Sequence, residues 1–152
     1  MEFTSHMQAA LVEARAARDR GEVPVGAVII APDGTIASRA GNRTRELNDP
    51  SAHAEMLAIR AACDTLNSER LIGHDLYVTL EPCAMCAGVI AHARIRRIYF
   101  GASDPKSGGT LHGAQVFSHP QSHHAPEVYD GIAAQECEAL LHAFFAGLRN
   151  GE

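Results

Sequence analysis

Apolar residues recur at helical spacing near the start of the chain and then at strand spacing. A helix is predicted there, ended by Gly21, from the positions Met7, Ala10, Leu11, Ala14 and Ala17. Two apolar runs follow, at 25–31 and 35–40, and the turn residues Pro32-Asp33-Gly34 separate them. This arrangement predicts two strands joined by a hairpin, followed by a polar loop over 41–51.

In the rest of the chain, segments with helical spacing of apolar residues alternate with segments that have strand spacing. The patterns predict, in order, a helix over 52–66, a strand over 75–80, a helix over 84–93 that Pro82 opens, a strand over 97–101, a long loop over 102–126 and an amphipathic helix over 132–148. Strands that alternate with helices after a hairpin predict an α/β sheet domain of two or three layers, with at least one parallel crossover.

Length and composition favour one globular domain spanning 1–152. The chain has 152 residues, of which 46% are hydrophobic and 20% charged, values that argue against disorder. The apolar runs are too short to cross a bilayer, so no membrane association is expected. The first residues lack a basic start and a long apolar stretch, so a cytoplasmic location is expected.

The formal net charge of −5 argues against broad, sequence-independent binding of nucleic acid. This net charge is compatible with a local basic patch, such as the cluster formed by Arg94, Arg96 and Arg97.

Two short motifs carry the candidate chemistry. His53-Ala54-Glu55 lies at the start of the second predicted helix, and Pro82-Cys83-Ala84-Met85-Cys86 at the start of the third. Cys83 and Cys86 are three residues apart and share a helical face near a helix N-terminus, which stabilises thiolates. With His53 they supply three nitrogen and sulfur ligands, which is typical of catalytic zinc with one open position for water. A structural zinc completed by another histidine and a Cys-x-x-Cys redox pair are the alternatives.

Glu55 is the candidate group for proton transfer. As a general base it would take a proton from the attacking water and then deliver protons to a ring nitrogen and the departing amine. The alternative is a solvated carboxylate that only interacts with the helix dipole. Outside the two motifs, Cys63 and Cys137 are interpreted as small buried hydrophobes. Surface, substrate-facing or capping roles are expected for His112, His119, His123 and His124.

These residues resemble the cytidine and deoxycytidylate deaminase superfamily, which carries H-x-E and P-C-x-x-C signatures. Within it the chain is most similar to bacterial tRNA-specific adenosine deaminases, and the resemblance spans nearly the whole sequence. The matching segments are Glu22 to Val28, Gly41-Asn42-Arg43, Asp49 to Glu55, Leu76 to Cys83, and Phe100-Gly101-Ala102 with Asp104 and Lys106.

The resemblance implies a three-layer α/β/α sandwich with a central mixed sheet of about five strands. It further implies hydrolysis of adenosine to inosine at the wobble position of a tRNA anticodon, by a homodimer with one zinc ion in each subunit. Asn42 matches the family residue that hydrogen-bonds the substrate nucleoside, and Asp104 and Lys106 match positions near the anticodon backbone. A turn-forming Asp and an ordinary surface Lys are the alternatives for the last two.

Two other functions stay open at this point. The negative charge, together with a tail over 146–152 that resembles only weakly the more basic tails of the family, is compatible with a deaminase of free guanine, cytosine or nucleotides. The second is a non-catalytic, zinc-stabilised partner of an active deaminase, which would normally lack the carboxylate that Glu55 provides.

Overall fold

The protein was analysed as a computed structural model that describes residues 3–149. The described elements, in chain order, are α1 (Met7–Asp19), β1 (Gly26–Ile30), β2 (Ile36–Gly41), α2 (Ala54–Leu66), β3 (Asp75–Leu80), α3 (Ala84–His92), β4 (Arg97–Ala102), a 3-10 turn (Val116–Ser118), β5 (Glu127–Tyr129) and α4 (Ala134–Arg149).

The strands form one mixed sheet in the order β2-β1-β3-β4-β5. β1 runs antiparallel to both β2 and β3, whereas β3, β4 and β5 are parallel. The mixed sheet and the parallel crossover are therefore confirmed. β5 has no counterpart among the elements predicted from the pattern, because three residues are too few to show a strand period.

Helices cover both faces of the sheet, and this confirms the three-layer arrangement. α1 and α4 pack against each other and against the sheet, while α2 packs on β1 and β2 and also contacts α3. β1 is buried along its whole length, as expected for a strand covered on both faces. Gly26 allows the close approach of α1, because a Cβ atom there would lie 2.0 Å from the Ala10 carbonyl oxygen.

The helices that carry the two motifs begin later than predicted. α2 begins at Ala54 rather than residue 52, and α3 begins at Ala84, so Pro82 lies before the helix and not within its first turn. The physical reason is the extended backbone of the residues just before the helices, with ψ of 155° at His53 and 174° at Cys83. Among the described residues, no helix combines the length and the apolar character that a membrane span needs.

Candidate active site

The two predicted motifs lie at the N-termini of α2 and α3, which contact each other. His53 and Cys83 are the N-cap residues of these helices, yet neither side chain caps its own helix, a role that Ser, Thr, Asp or Asn usually performs. Cys83 also lies three residues after the carboxyl end of β3, where sites in α/β sheets are found. The imidazole and the thiol are thus free for another partner.

The structure brings His53, Cys83 and Cys86 into one cluster. Their ligand atoms all lie within 4.8 Å of one another. The His53 Nδ1 atom is 3.7 Å from the Cys83 sulfur and 3.5 Å from the Cys86 sulfur. With ordinary zinc bonds to nitrogen and sulfur, a tetrahedral site separates such atoms by about 3.6 Å, so the donor set fits zinc. Within residues 3–149, this cluster has no fourth His, Cys, Asp or Glu ligand atom, which disfavours a closed structural site.

Mutual hydrogen bonds perturb the acidity of the three groups. The hydrogen bond from Cys86, followed by that from His53, lowers the pKa of Cys83 to about 4 despite partial burial. The Cys86 thiol, which donates to this thiolate and is buried, has a raised pKa. The pKa of His53 is raised, first of all by its hydrogen bond with Cys83. The cluster therefore attracts positive charge, and a divalent cation would displace its protons.

Glu55 lies in the first turn of α2 and is buried, with 3% of its surface exposed. Burial is the main reason that the pKa of this carboxyl is raised; hydrogen bonds and the charge of His53 oppose the shift. His53, Cys83 and Cys86 all affect the pKa of this carboxyl, so Glu55 adjoins the cluster. A solvated carboxylate at a helix surface is therefore the wrong description of Glu55.

The cluster opens into a cavity of about 250 Å³, which we call the cleft. Asn42 and Asp104, two of the residues predicted to bind substrate, line it together with His53, Glu55 and Cys83. The third, Lys106, lies instead in a neighbouring groove of about 620 Å³ along α4, which we call the α4 groove. Cleft and groove share the residues Val23, Leu80, Asp104 and Ser107.

Asn42 is buried, and its backbone is fixed from two sides. Its N–H donates to the Val25 carbonyl at 3.0 Å, and its carbonyl accepts a hydrogen bond from Arg20 at 3.2 Å. Asn42 also lines the cleft. An amide side chain in a site wall offers both a donor and an acceptor for the polar edge of a ligand.

Two buried carboxylates, which the sequence analysis did not single out, hold the loops on either side of the cleft. Glu22 accepts hydrogen bonds from the backbone N–H groups of Arg45 and Glu46, at 3.1 and 2.8 Å. Glu81 does the same for the loop that contains Asp104. No sequence signal separates these carboxylates from solvated ones, because their burial depends on loops distant along the chain.

The remaining cysteines and the loop histidines lie outside the cluster. Cys137 is buried and Cys63 half-buried, in agreement with their interpretation as small hydrophobes. His112 approaches Glu81 at 2.7 Å, and His124 bonds the Ile95 carbonyl at 2.7 Å, so both have structural partners. His119 and His123 are exposed.

Comparisons with known proteins agree with this site. The family model described as the cytidine and deoxycytidylate deaminase zinc-binding region matches residues 2–102. A tRNA-specific adenosine deaminase of Agrobacterium fabrum is 58% identical over 144 residues, which cover 95% of this chain and 94% of that protein.

Solved structures give the same result. A structure from studies of A-to-I editing by tRNA:A34 deaminases at the wobble position of transfer RNA is 57% identical. It superposes with a TM-score of 0.88 and covers 91% of this chain and 100% of its own. A guanine deaminase from Nitrosomonas europaea has a TM-score of 0.81 at 20% identity, covering 96% of this chain and 87% of its own, and shows a shared fold only. The chain thus belongs to the zinc-binding cytidine and deoxycytidylate deaminase family and, within it, to the tRNA-specific adenosine deaminases.

Proposed function

We propose that this protein is a zinc-dependent hydrolase that converts adenosine to inosine, with release of ammonia, at the wobble position of a tRNA anticodon. The observation that carries the proposal is the buried Glu55 beside the His53, Cys83 and Cys86 cluster, at the base of a cleft. The substrate class comes from the relatives, whose names specify tRNA.

In the proposed mechanism, His53, Cys83 and Cys86 hold one zinc ion, which supplies Lewis acidity and lowers the pKa of water. Glu55 takes a proton from the attacking water as its oxygen bonds to C6 of adenine, and transfers this proton to N1. A second proton goes to the amino group, the C6–N bond breaks, and ammonia leaves. The products are inosine and ammonia, so one water molecule is consumed for each turnover.

The position of Glu55 suits this proton transfer. Because burial raises its pKa, the carboxyl is a stronger base than an exposed glutamate, which suits a group that takes a proton from water. An exposed glutamate, with its lower pKa, would be a weaker base toward the attacking water.

We assign substrate binding to Asn42, Asp104 and Lys106. The amide of Asn42 would hydrogen-bond the flipped nucleoside in the cleft. Asp104 lies where cleft and α4 groove meet, and Lys106 lines the groove, where an ammonium group would contact a phosphate of the anticodon backbone.

We further propose a single deaminase domain over 1–152, a homodimer and a cytoplasmic location, where tRNA would be encountered. The shared hydrophobic core of all the sheet strands and helices supports the single domain. The partly open apolar surface of α3, where Met85 is 39% exposed, supports a subunit interface. Sedimentation analysis of the zinc-loaded protein measures its mass in solution and so tests the proposed dimer.

The test offers the zinc-loaded protein an anticodon stem-loop with a wobble adenosine and, in parallel, free adenosine, guanine and cytosine. We expect inosine and ammonia from the stem-loop only. Turnover of a free base alone would replace the proposal by a free-base deaminase, and absence of all turnover would favour a non-catalytic subunit.

A further inference from the structure

Glu81, at the junction between β3 and α3, has a fully buried side chain but no role in the proposed chemistry. It lies between Leu80, the last residue of β3, and Pro82-Cys83, which lead into the metal-binding helix. A buried carboxylate is costly unless hydrogen bonds compensate its charge, so the position calls for an explanation.

Among residues 3–149, the donors to the Glu81 carboxylate all belong to one loop, the segment 103–112. Oε1 accepts from the Asp104 N–H at 3.0 Å and pairs with His112 Nδ1 at 2.7 Å. Oε2 accepts four further hydrogen bonds of 3.0 to 3.3 Å, from the Thr110 N–H, the Thr110 hydroxyl, the Leu111 N–H and the His112 N–H. Both oxygens thus accept hydrogen bonds from the loop 103–112, whereas Glu55 adjoins the metal cluster.

The same loop docks directly on the start of α3. Gly109 N–H donates to the Pro82 carbonyl at 2.8 Å, and Gly108 forms a β-bridge with Cys83. A Cβ atom on Gly109 would lie 2.4 Å from the Ala84 nitrogen, so only glycine permits this approach. The loop then presents Asp104 and Ser107 to the cleft.

We infer that Glu81 is a positioning residue that fixes the loop 103–112 against the metal-binding helix and thereby sets the wall of the cleft that faces the substrate. The charge of the carboxylate makes each of its hydrogen bonds stronger than a neutral one. A wall displaced by about 1 Å is enough to lower catalysis roughly 100-fold. The inference rests on the proposed function for its consequence in catalysis, although its structural part does not.

The test compares Glu81→Gln with Glu22→Gln in zinc-loaded protein. The glutamine is nearly isosteric but loses the charge and replaces one acceptor by a donor. We expect faster amide hydrogen exchange at Asp104, Thr110, Leu111 and His112 in the first variant, and only at Arg45 and Glu46 in the control. Zinc content should stay at one ion per chain, and kcat/KM on the stem-loop should fall about 100-fold, with a lower kcat.

A milder variant keeps the inference testable if Glu81→Gln fails to fold. His112→Ala removes one partner of Glu81 from a half-exposed position and should raise the same exchange rates less. Exchange in 103–112 that stays as in the wild-type protein in both variants would overturn the inference, as would faster exchange spread equally over β3 and the loop at 43–46. Amide hydrogen exchange and zinc content are measured without substrate. They therefore still test the inference if the wild-type protein does not convert the stem-loop. That result would overturn the proposed function but not the inference.

Discussion

The cleft and the α4 groove share a wall but are built in different ways. The cleft is formed from the first residues of two helices and from loops that buried carboxylates hold, and its central acid, Glu55, is buried. The α4 groove is lined by exposed side chains, among them Lys106, His142 and Arg149, with the acidic Glu138 beside them.

In the proposed function, this difference would assign the chemistry to the cleft and the binding of RNA to the α4 groove. In the cleft, atoms are fixed and shielded from water, so a single group there has a large effect on the reaction. In the groove, charges are solvated and screened by salt, so each one contributes a small and ionic-strength-dependent share of affinity. The groove pairs the cations Lys106 and Arg149 with the carboxylates Asp104 and Glu138, so the proposed contacts to RNA would rest on individual cations and not on a net positive field.

The largest effect is expected in the cleft, for Glu55→Gln. The amide cannot accept and release the proton, so kcat on the stem-loop should fall by roughly 10²- to 10⁴-fold. Zinc content should stay at that of the wild-type protein, because Glu55 is not a member of the ligand cluster. Glu69→Gln, at an exposed position, is the matched control. Unchanged turnover in Glu55→Gln would refute the proposed mechanism.

The cleft was the more predictable region from sequence. Its metal cluster and Glu55 are four residues in two motifs, at helix starts whose apolar patterns are clear, so the combination of the two motifs indicated the site. The order of the helices and of strands β1 to β4 along the chain followed from the same periodicity. The helix starts were wrong by up to two residues at α2, because the N-cap residues carry His and Cys instead of ordinary capping residues.

The other parts depend on contacts between distant segments. Glu81 is hydrogen-bonded by residues 23 to 31 positions further along, and Arg149 reaches the groove beside Lys106 only because α4 packs back on the sheet. β5 is three residues long and forms only by pairing with β4. Such features are set by tertiary packing, which local sequence patterns do not encode.

A smaller effect, still within the cleft, is expected for Asn42→Ala. Loss of the amide leaves a polar group of the bound nucleoside without a partner, so kcat/KM should fall roughly 10- to 100-fold. Asn42→Asp keeps the shape and one acceptor but loses the donor, and steady-state kinetics of both variants therefore show which atom matters. Equal kcat/KM in the wild-type protein and Asn42→Ala would remove this residue from the substrate site.

The smallest effects are expected in the α4 groove, for Lys106→Ala and Arg149→Ala. Each lost phosphate contact should reduce the slope of log affinity against log salt concentration by about 0.7, the value for single-stranded nucleic acid. Affinity for the stem-loop, measured by fluorescence anisotropy over a salt series, should therefore differ most at low salt. The kcat for conversion of the stem-loop should stay within about twofold of the wild-type value, because neither side chain lines the cleft.

Arg18→Ala provides the matched control, since Arg18 is an exposed arginine in the last turn of α1 that lines neither cleft nor groove. It removes the same net charge, so any change it shares with Arg149→Ala reflects the overall field of the protein and not a local contact. Equal salt slopes in all three variants would assign RNA binding to the whole surface. A lower slope in the groove variants alone would establish that the α4 groove binds the phosphates and that the cleft binds the base over the metal cluster.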